Sequence, residues 1–182
     1  YSAIADEWVA IKPGTDGALI LALIHQLIKQ GLYDREFLVR YSNAAELVVQ
    51  DESRDDHGLF KRFEMHIEEG CFDPENKLWW DIELDKEIST HTPGSDPRLL
   101  GEFILEDGTP VKPGFQLLKE RVEEYTPEWA ASITGIPAAT IRRLAHEMGV
   151  TARDQKIELP IKWTDCWGND HDKVVGSPVS FQ

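Results

Sequence analysis

Residues 8–28 constrain this chain more than any other stretch, because they read as strand, tight turn and helix in immediate succession. Trp8-Val9-Ala10-Ile11 is a short apolar run of the kind that fills a buried strand. Lys12-Pro13-Gly14 interrupts it: proline removes a backbone donor, and glycine admits conformations that other residues resist. Thr15 stands where an N-cap belongs, and Asp16 falls in the first helical turn, where the helix dipole favours negative charge. Apolar residues then recur at 19, 20, 23, 24, 27 and 28, the rhythm of a helix with one face in a core, and Gly31 is its expected stop. In an open α/β sheet such a turn lies at the carboxyl end of a strand, where nucleotides bind.

The 182 residues suffice for one core or two small lobes, and a hydrophobic fraction of 41% excludes general disorder. A net charge of −14, from 19 basic and 33 acidic residues, opposes binding to nucleic acid or to an anionic membrane surface. No apolar run approaches the roughly 18 residues of a membrane-spanning helix, and no basic leader opens the chain. Cys71 and Cys166 supply neither a disulfide framework nor a CxxC metal motif and read as inert thiols, with a single disulfide as the alternative. The chain starts at Tyr1 within ordered-looking sequence and stops at Phe181-Gln182 after an apolar segment, so an internal piece of a longer polypeptide is expected.

Three blocks follow from the pattern. Residues 1–42 hold the strand, the turn, the first helix and a short helix opened by Asp34. Residues 43–113 read as a loop- and β-rich insertion, with β runs near 77–83 and 102–105 and a hairpin signal at Asp107-Gly108. Residues 114–182 carry a helix over 115–125, a second helix begun by Thr126-Pro127, a third from about Ile136 to Gly149, and an extended tail. The expected architecture is α/β: a Rossmann-like parallel sheet with flanking helices, broken by the insertion.

Two ordered blocks resemble one family. Ala5-Asp6-Glu7-Trp8, Lys12-Pro13-Gly14-Thr15-Asp16 and Leu27-Ile28, followed by Gly31-Leu32-Tyr33-Asp34, Phe37 and Tyr41, form the first. Tyr125-Thr126-Pro127-Glu128-Trp129-Ala130, Thr134-Gly135-Ile136-Pro137 and Ile141-Arg142-Arg143-Leu144-Ala145 form the second. Over residues 3–42 and 115–148 the chain resembles the nucleotide-binding region of the molybdopterin oxidoreductases of the dimethyl-sulfoxide-reductase family.

The resemblance implies a segment of a two-electron oxidoreductase whose molybdenum or tungsten ion sits between two pterins, each carrying a guanine dinucleotide. It implies that Lys12, Pro13, Gly14, Thr15 and Asp16 contact one of those guanine nucleotides. The metal ligand and a 4Fe-4S cluster would come from the parent polypeptide outside this chain. Partners would be the rest of that polypeptide and an iron–sulfur electron-transfer subunit. A sulfur oxyanion, polysulfide, formate or an N-oxide would all suit as substrate, and the family has both cytoplasmic and exported members. Ser95-Asp96-Pro97-Arg98 has the letters of the family's preceding strand end, but no apolar strand leads into it, so it reads as a loop.

The chemistry of the turn agrees independently. Guanine presents N1–H beside its exocyclic amine, and one carboxylate accepts from both. Gly14 permits close backbone approach, Thr15 can donate to a ribose or phosphate oxygen, and Lys12 can reach a phosphate. The competing assignments are a helix-capping Asp16 and a merely solvated Lys12. Elsewhere the bland readings prevail. Asp165, His171 and their neighbours form a polar loop pinned by tryptophans, with a proton-transfer role as the alternative. His25, His91 and His146 are loop or surface histidines, and Asp51–Asp56 is a solvated face. Trp79-Trp80-Asp81 belongs to a core rather than to a sugar-binding platform. Set against the oxidoreductase reading is a non-catalytic module whose acidic surface docks a basic electron-transfer partner.

Overall fold

The computed structural model describes residues 5, 7–62, 77–90, 92–165 and 168–179, so Cys71, His91 and Cys166 lie outside the described residues. In chain order the elements are helices α1 (Asp16–Lys29) and α2 (Arg35–Tyr41), then strands β1 (Leu47–Val49), β2 (Leu78–Trp80), β3 (Glu87–Ser89), β4 (Phe103–Ile104) and β5 (Pro110–Pro113). Helices α3 (Gly114–Val122), α4 (Pro127–Thr134) and α5 (Ala138–Asp154) follow, and strands β6 (Ile157–Leu159), β7 (Trp163–Thr164), β8 (Asp170–His171) and β9 (Val174–Gly176) complete the order. The chain divides into two compact units, Tyr1–Tyr33 with Val122–Gln182, and Asp34–Arg121.

The first unit is built on α1, α4 and α5. Ala22, Leu23, Ala130, Ile136, Ile141 and Ala145 form its buried centre, with Val9, Ile11 and Leu19 packed against it. Small residues on all three helices let their axes approach closely. Gly149 extends this: a Cβ there would lie 2.7 Å from Leu27 Cδ2 and 2.8 Å from Leu32 Cβ. The sequence pattern ends the last helix at Gly149, whereas α5 continues to Asp154. That glycine serves packing against the end of α1, and the helix passes through it.

The apolar run 8–12 takes no strand conformation. Val9 and Ile11 are drawn into the helical centre, and the segment's backbone tie to the rest of the unit is Lys12 N–H to the Thr134 carbonyl at 3.1 Å. The α/β class stands, but the Rossmann-like parallel sheet is not what the described strands form. Every described strand pair and isolated bridge is antiparallel. An apolar run becomes a strand only where a neighbouring strand offers a ladder; here Val9 and Ile11 meet helices, while Trp8, expected in a buried strand, is 72% exposed.

The second unit holds the sheet β1-β5-β4, with Val111 opposite both Val49 and Phe103. Leu47, Leu78, Trp80, Leu105 and Val111 fill its core. The β4–β5 connection is the hairpin expected at Asp107-Gly108: Gly108 has φ +82°, and Leu105 N–H reaches the Thr109 carbonyl at 2.9 Å. After α5, the tail of the first unit folds back as two ribbons, β6 with β9 and β7 with β8.

Candidate functional site

The turn at 12–17 is formed by its own backbone. Gly14 has φ +78°, a left-handed conformation that only glycine adopts without strain. This brings Thr15 N–H within 3.3 Å of the Lys12 carbonyl, to which the Thr15 hydroxyl also donates at 2.7 Å. Thr15 therefore holds the N-cap position of α1 but spends its side chain on the turn and caps nothing in the helix. Ala18 and Leu19 N–H reach the Thr15 carbonyl at 3.0 and 3.4 Å. The N–H groups of Asp16 and Gly17 have no acceptor among the described residues, so the first turn presents two open donors.

Their surroundings are open too. A Cβ added at Gly14 or Gly17 would meet nothing within 4 Å. Lys12, Pro13, Gly14 and Asp16 are exposed and Thr15 is half-buried. Neither the Lys12 ammonium nor the Asp16 carboxylate makes a hydrogen bond or ion pair among the described residues. The helix-capping alternative for Asp16 therefore has no bond to support it. Among the described residues, the turn thus offers backbone donors, a cation and a carboxylate, all without partners, within the six residues 12–17. Gly17 was not legible as part of this group, although a glycine in the first turn of an otherwise strong helix is a signal.

The second sequence block stands behind the turn. Thr126 caps α4 by accepting from Trp129 N–H at 3.2 Å, with Pro127 at the first helical position. Gly135 ends α4 at φ +80°, and its missing Cβ leaves room for the Lys12 stem, whose Cε would sit 3.4 Å from it. Lys12 N–H meanwhile binds the Thr134 carbonyl. Further along, Arg143 of α5 forks onto both carboxylate oxygens of Glu7 at 2.6 and 2.7 Å. The two motifs, over a hundred residues apart in sequence, are one neighbourhood in this unit.

The remaining candidates have the following partners among the described residues. Trp80 is 9% exposed, stacks on Phe103 at a centroid distance of 4.4 Å and donates from Nε1 to Asp85, so it is a core residue, while Trp79 between its buried neighbours is half-buried. Asp81 is 3% exposed and accepts from the backbone N–H of Glu83, Leu84 and Asp96 at 2.8–2.9 Å. The Leu84 and Asp96 bonds hold its carboxyl below the ordinary carboxylate range, against the opposing effect of burial. Asp96 also takes Arg35 at 2.6 Å, so the Ser95–Arg98 string is a loop pinned to this hub, as its sequence context implies. His171 stacks on Trp163 and lies 3.1 Å from Asp165, whose carboxylate also takes both the backbone and side-chain N–H of Asn169. His25 bonds the Val122 carbonyl and His146 bonds Gln30. Among the described residues no three His, Cys, Asp or Glu side chains are grouped to hold a metal.

No protein-family model matches the chain. Curated proteins do. A component polypeptide of sulfite dehydrogenase from Allochromatium vinosum is 74% identical over 181 residues, covering all of this chain and 19% of that polypeptide. The alpha chain of a perchlorate reductase from Dechloromonas aromatica is 34% identical over 78% of this chain and 18% of its own length. A dimethyl sulfoxide reductase from Haemophilus influenzae is 29% identical over 80% of this chain and 12% of its own. The chain thus spans less than a fifth of the length of each of these three relatives. With these relatives and with both motif blocks in their expected order, the chain belongs to the dimethyl-sulfoxide-reductase family of molybdopterin oxidoreductases, as a segment of such an enzyme.

Proposed function

We propose that the full-length protein is a molybdenum- or tungsten-dependent oxidoreductase carrying bis-molybdopterin guanine dinucleotide, and that residues 12–17 grip one of the guanine nucleotides. The observation that carries this reading is the Asp16 carboxylate and two backbone N–H groups, all without a partner among the described residues, on a turn where a Cβ at Gly14 or Gly17 would meet nothing within 4 Å. The residues fit the group. Asp16 can accept from guanine N1–H and its exocyclic amine together. The Asp16 and Gly17 N–H groups can donate to a phosphate or ribose oxygen, and Lys12 offsets the negative charge that the ligand and Asp16 bring together. When bound, the metal cofactor supplies the two-electron chemistry; this segment binds and orients.

Parent partners belong to the same proposal. The sulfite dehydrogenase and perchlorate reductase relatives are each one component of a larger enzyme, which supports a multi-subunit assembly. A 4Fe-4S cluster elsewhere in the parent, together with an iron–sulfur electron-transfer subunit, completes the electron path.

The test is the Asp16→Asn variant of the full-length protein, with guanine nucleotide released per polypeptide as the readout. Loss of a charge-assisted pair costs about 1.5–3 kcal/mol, so retention should weaken by roughly 10- to 150-fold. Retention equal to wild type would remove Asp16 from the site and favour the non-catalytic docking module.

A further inference from the structure

Ile157-Glu158-Leu159-Pro160-Ile161-Lys162-Trp163 alternates apolar and polar residues, the pattern of a strand with one face against a core. The structure gives that face no core. Ile157, Leu159, Ile161 and Trp163 are 45, 45, 53 and 45% exposed. The register places Leu159 opposite Val174 and Ile157 opposite Gly176, so the ribbon contributes little apolar cover of its own. A two-stranded ribbon alone in water is marginal. This one is nevertheless fixed in place: Ser177 links Lys156 to the Ala152 carbonyl at the end of α5. Trp163 is held as well, stacked on His171 and donating from Nε1 to the Lys173 carbonyl at 3.0 Å.

We infer that this face is a docking surface for the remainder of the same polypeptide, an apolar surface of the full-length protein outside these 182 residues. Two observations select that occupant. The 74% identical relative matches this chain throughout, yet four-fifths of its length lies outside the match. The charged residues that alternate with it, Glu158 and Lys162, belong to the opposite face, where they pair with Lys173 and Asp172, so the face itself is apolar and calls for an apolar cover. The inference shares with the proposed function only the premise of a longer parent chain; it needs no nucleotide and no metal.

The experiment is hydroxyl-radical footprinting with hydrogen exchange on the full-length polypeptide, purified without other subunits and followed through a dilution series. Trp163 should oxidise about tenfold or more slower than free tryptophan, and the amides of residues 157–163 should be protected at every dilution that leaves a monomer. Oxidation near the free rate would overturn the inference. Protection lost on dilution would assign the face to a second copy, and protection that needs the other subunits would assign it to them; either overturns it. The double variant Leu159→Asn/Ile161→Asn should raise Trp163 oxidation several-fold, and if it fails to fold, the wild-type footprint still decides. Metal content measured on the same sample separates the two readings: metal-free protein with Trp163 protected would sink only the proposed function.

Discussion

Asp81 shows how far a single side chain can organise a loop region. Its carboxylate collects three backbone N–H groups, from Glu83, Leu84 and Asp96, which otherwise have no acceptor where they stand. Removing a buried acceptor leaves each donor with its desolvation penalty, so Asp81→Ala should destabilise the second unit by about 2–4 kcal/mol. Asp81→Asn, which keeps one oxygen acceptor, should cost less. The pH dependence follows from the lowered carboxyl pKa. The folded value lies below that of the unfolded chain, so the contribution is complete above about pH 4 and is lost as pH falls through the folded value. The protection of residues 78–98 against hydrogen exchange, relative to the intrinsic rate at each pH, should therefore fall below about pH 4 in the wild-type full-length protein. In the Ala variant exchange should be fast already at neutral pH; slow exchange there would remove Asp81 from its role. From sequence, Asp81 was legible only as a carboxylate after two tryptophans, because its three donors come from a turn and a loop that only the folded chain assembles. The 12–16 turn was legible because its determinants are local: a proline, a glycine and a cap residue in sequence. What sequence could not give there was the choice made by the Thr15 hydroxyl, which turns back to Lys12 and leaves α1 open.

At the scale of elements, helices were readable where their ends carry chemistry. Thr126-Pro127 starts α4 and Asp34 caps α2 by accepting from Phe37 N–H at 2.9 Å, both as local rules require. Strands were less so. The β2 and β4 segments lie inside the runs read as β, but β1 is three residues long and its pairing with β5 spans more than sixty residues, beyond any local pattern. The 8–12 run failed for the complementary reason, since apolar content does not say whether a ladder is available. Gly149 sharpens the point. As a helix residue it is poor, and an alanine there should gain about 1 kcal/mol of helix propensity. Yet the added methyl would sit 2.8 Å from Leu32 Cβ, an atom close to the backbone that cannot swing aside. Overpacking of this kind costs about 1–3 kcal/mol, so Gly149→Ala should be net destabilising, by up to about 2 kcal/mol. The check is hydrogen exchange in α1 and α5 of the full-length variant. Slower exchange than wild type would mean that the helices part without penalty and that Gly149 is not a packing residue.

For the whole molecule, the decisive question is whether the parent is a working redox enzyme or a relative that has kept the fold and lost the chemistry. Fold and family do not answer it, because function resides in sites placed on folds. This segment contributes the open turn at 12–17, and its described residues group no set of metal ligands. On the proposed reading, the metal is retained through contacts to its organic carrier and through residues elsewhere in the parent. Metal content is accordingly a test of the whole assembly rather than of any one residue. Full-length protein purified from its native host should contain molybdenum or tungsten in near-stoichiometric amount, and the element found decides which metal to supply when substrates are screened. In the Asp16→Asn variant the bound metal should fall together with the guanine nucleotide, since the turn at 12–17 would be holding one end of the carrier. A wild-type protein free of both metals, isolated from cells whose other molybdoenzymes are active, would leave the fold and the family standing. It would convert the open turn of α1 into an inherited feature, and the −14 charge into the property that remains to be explained, as a surface for a basic partner.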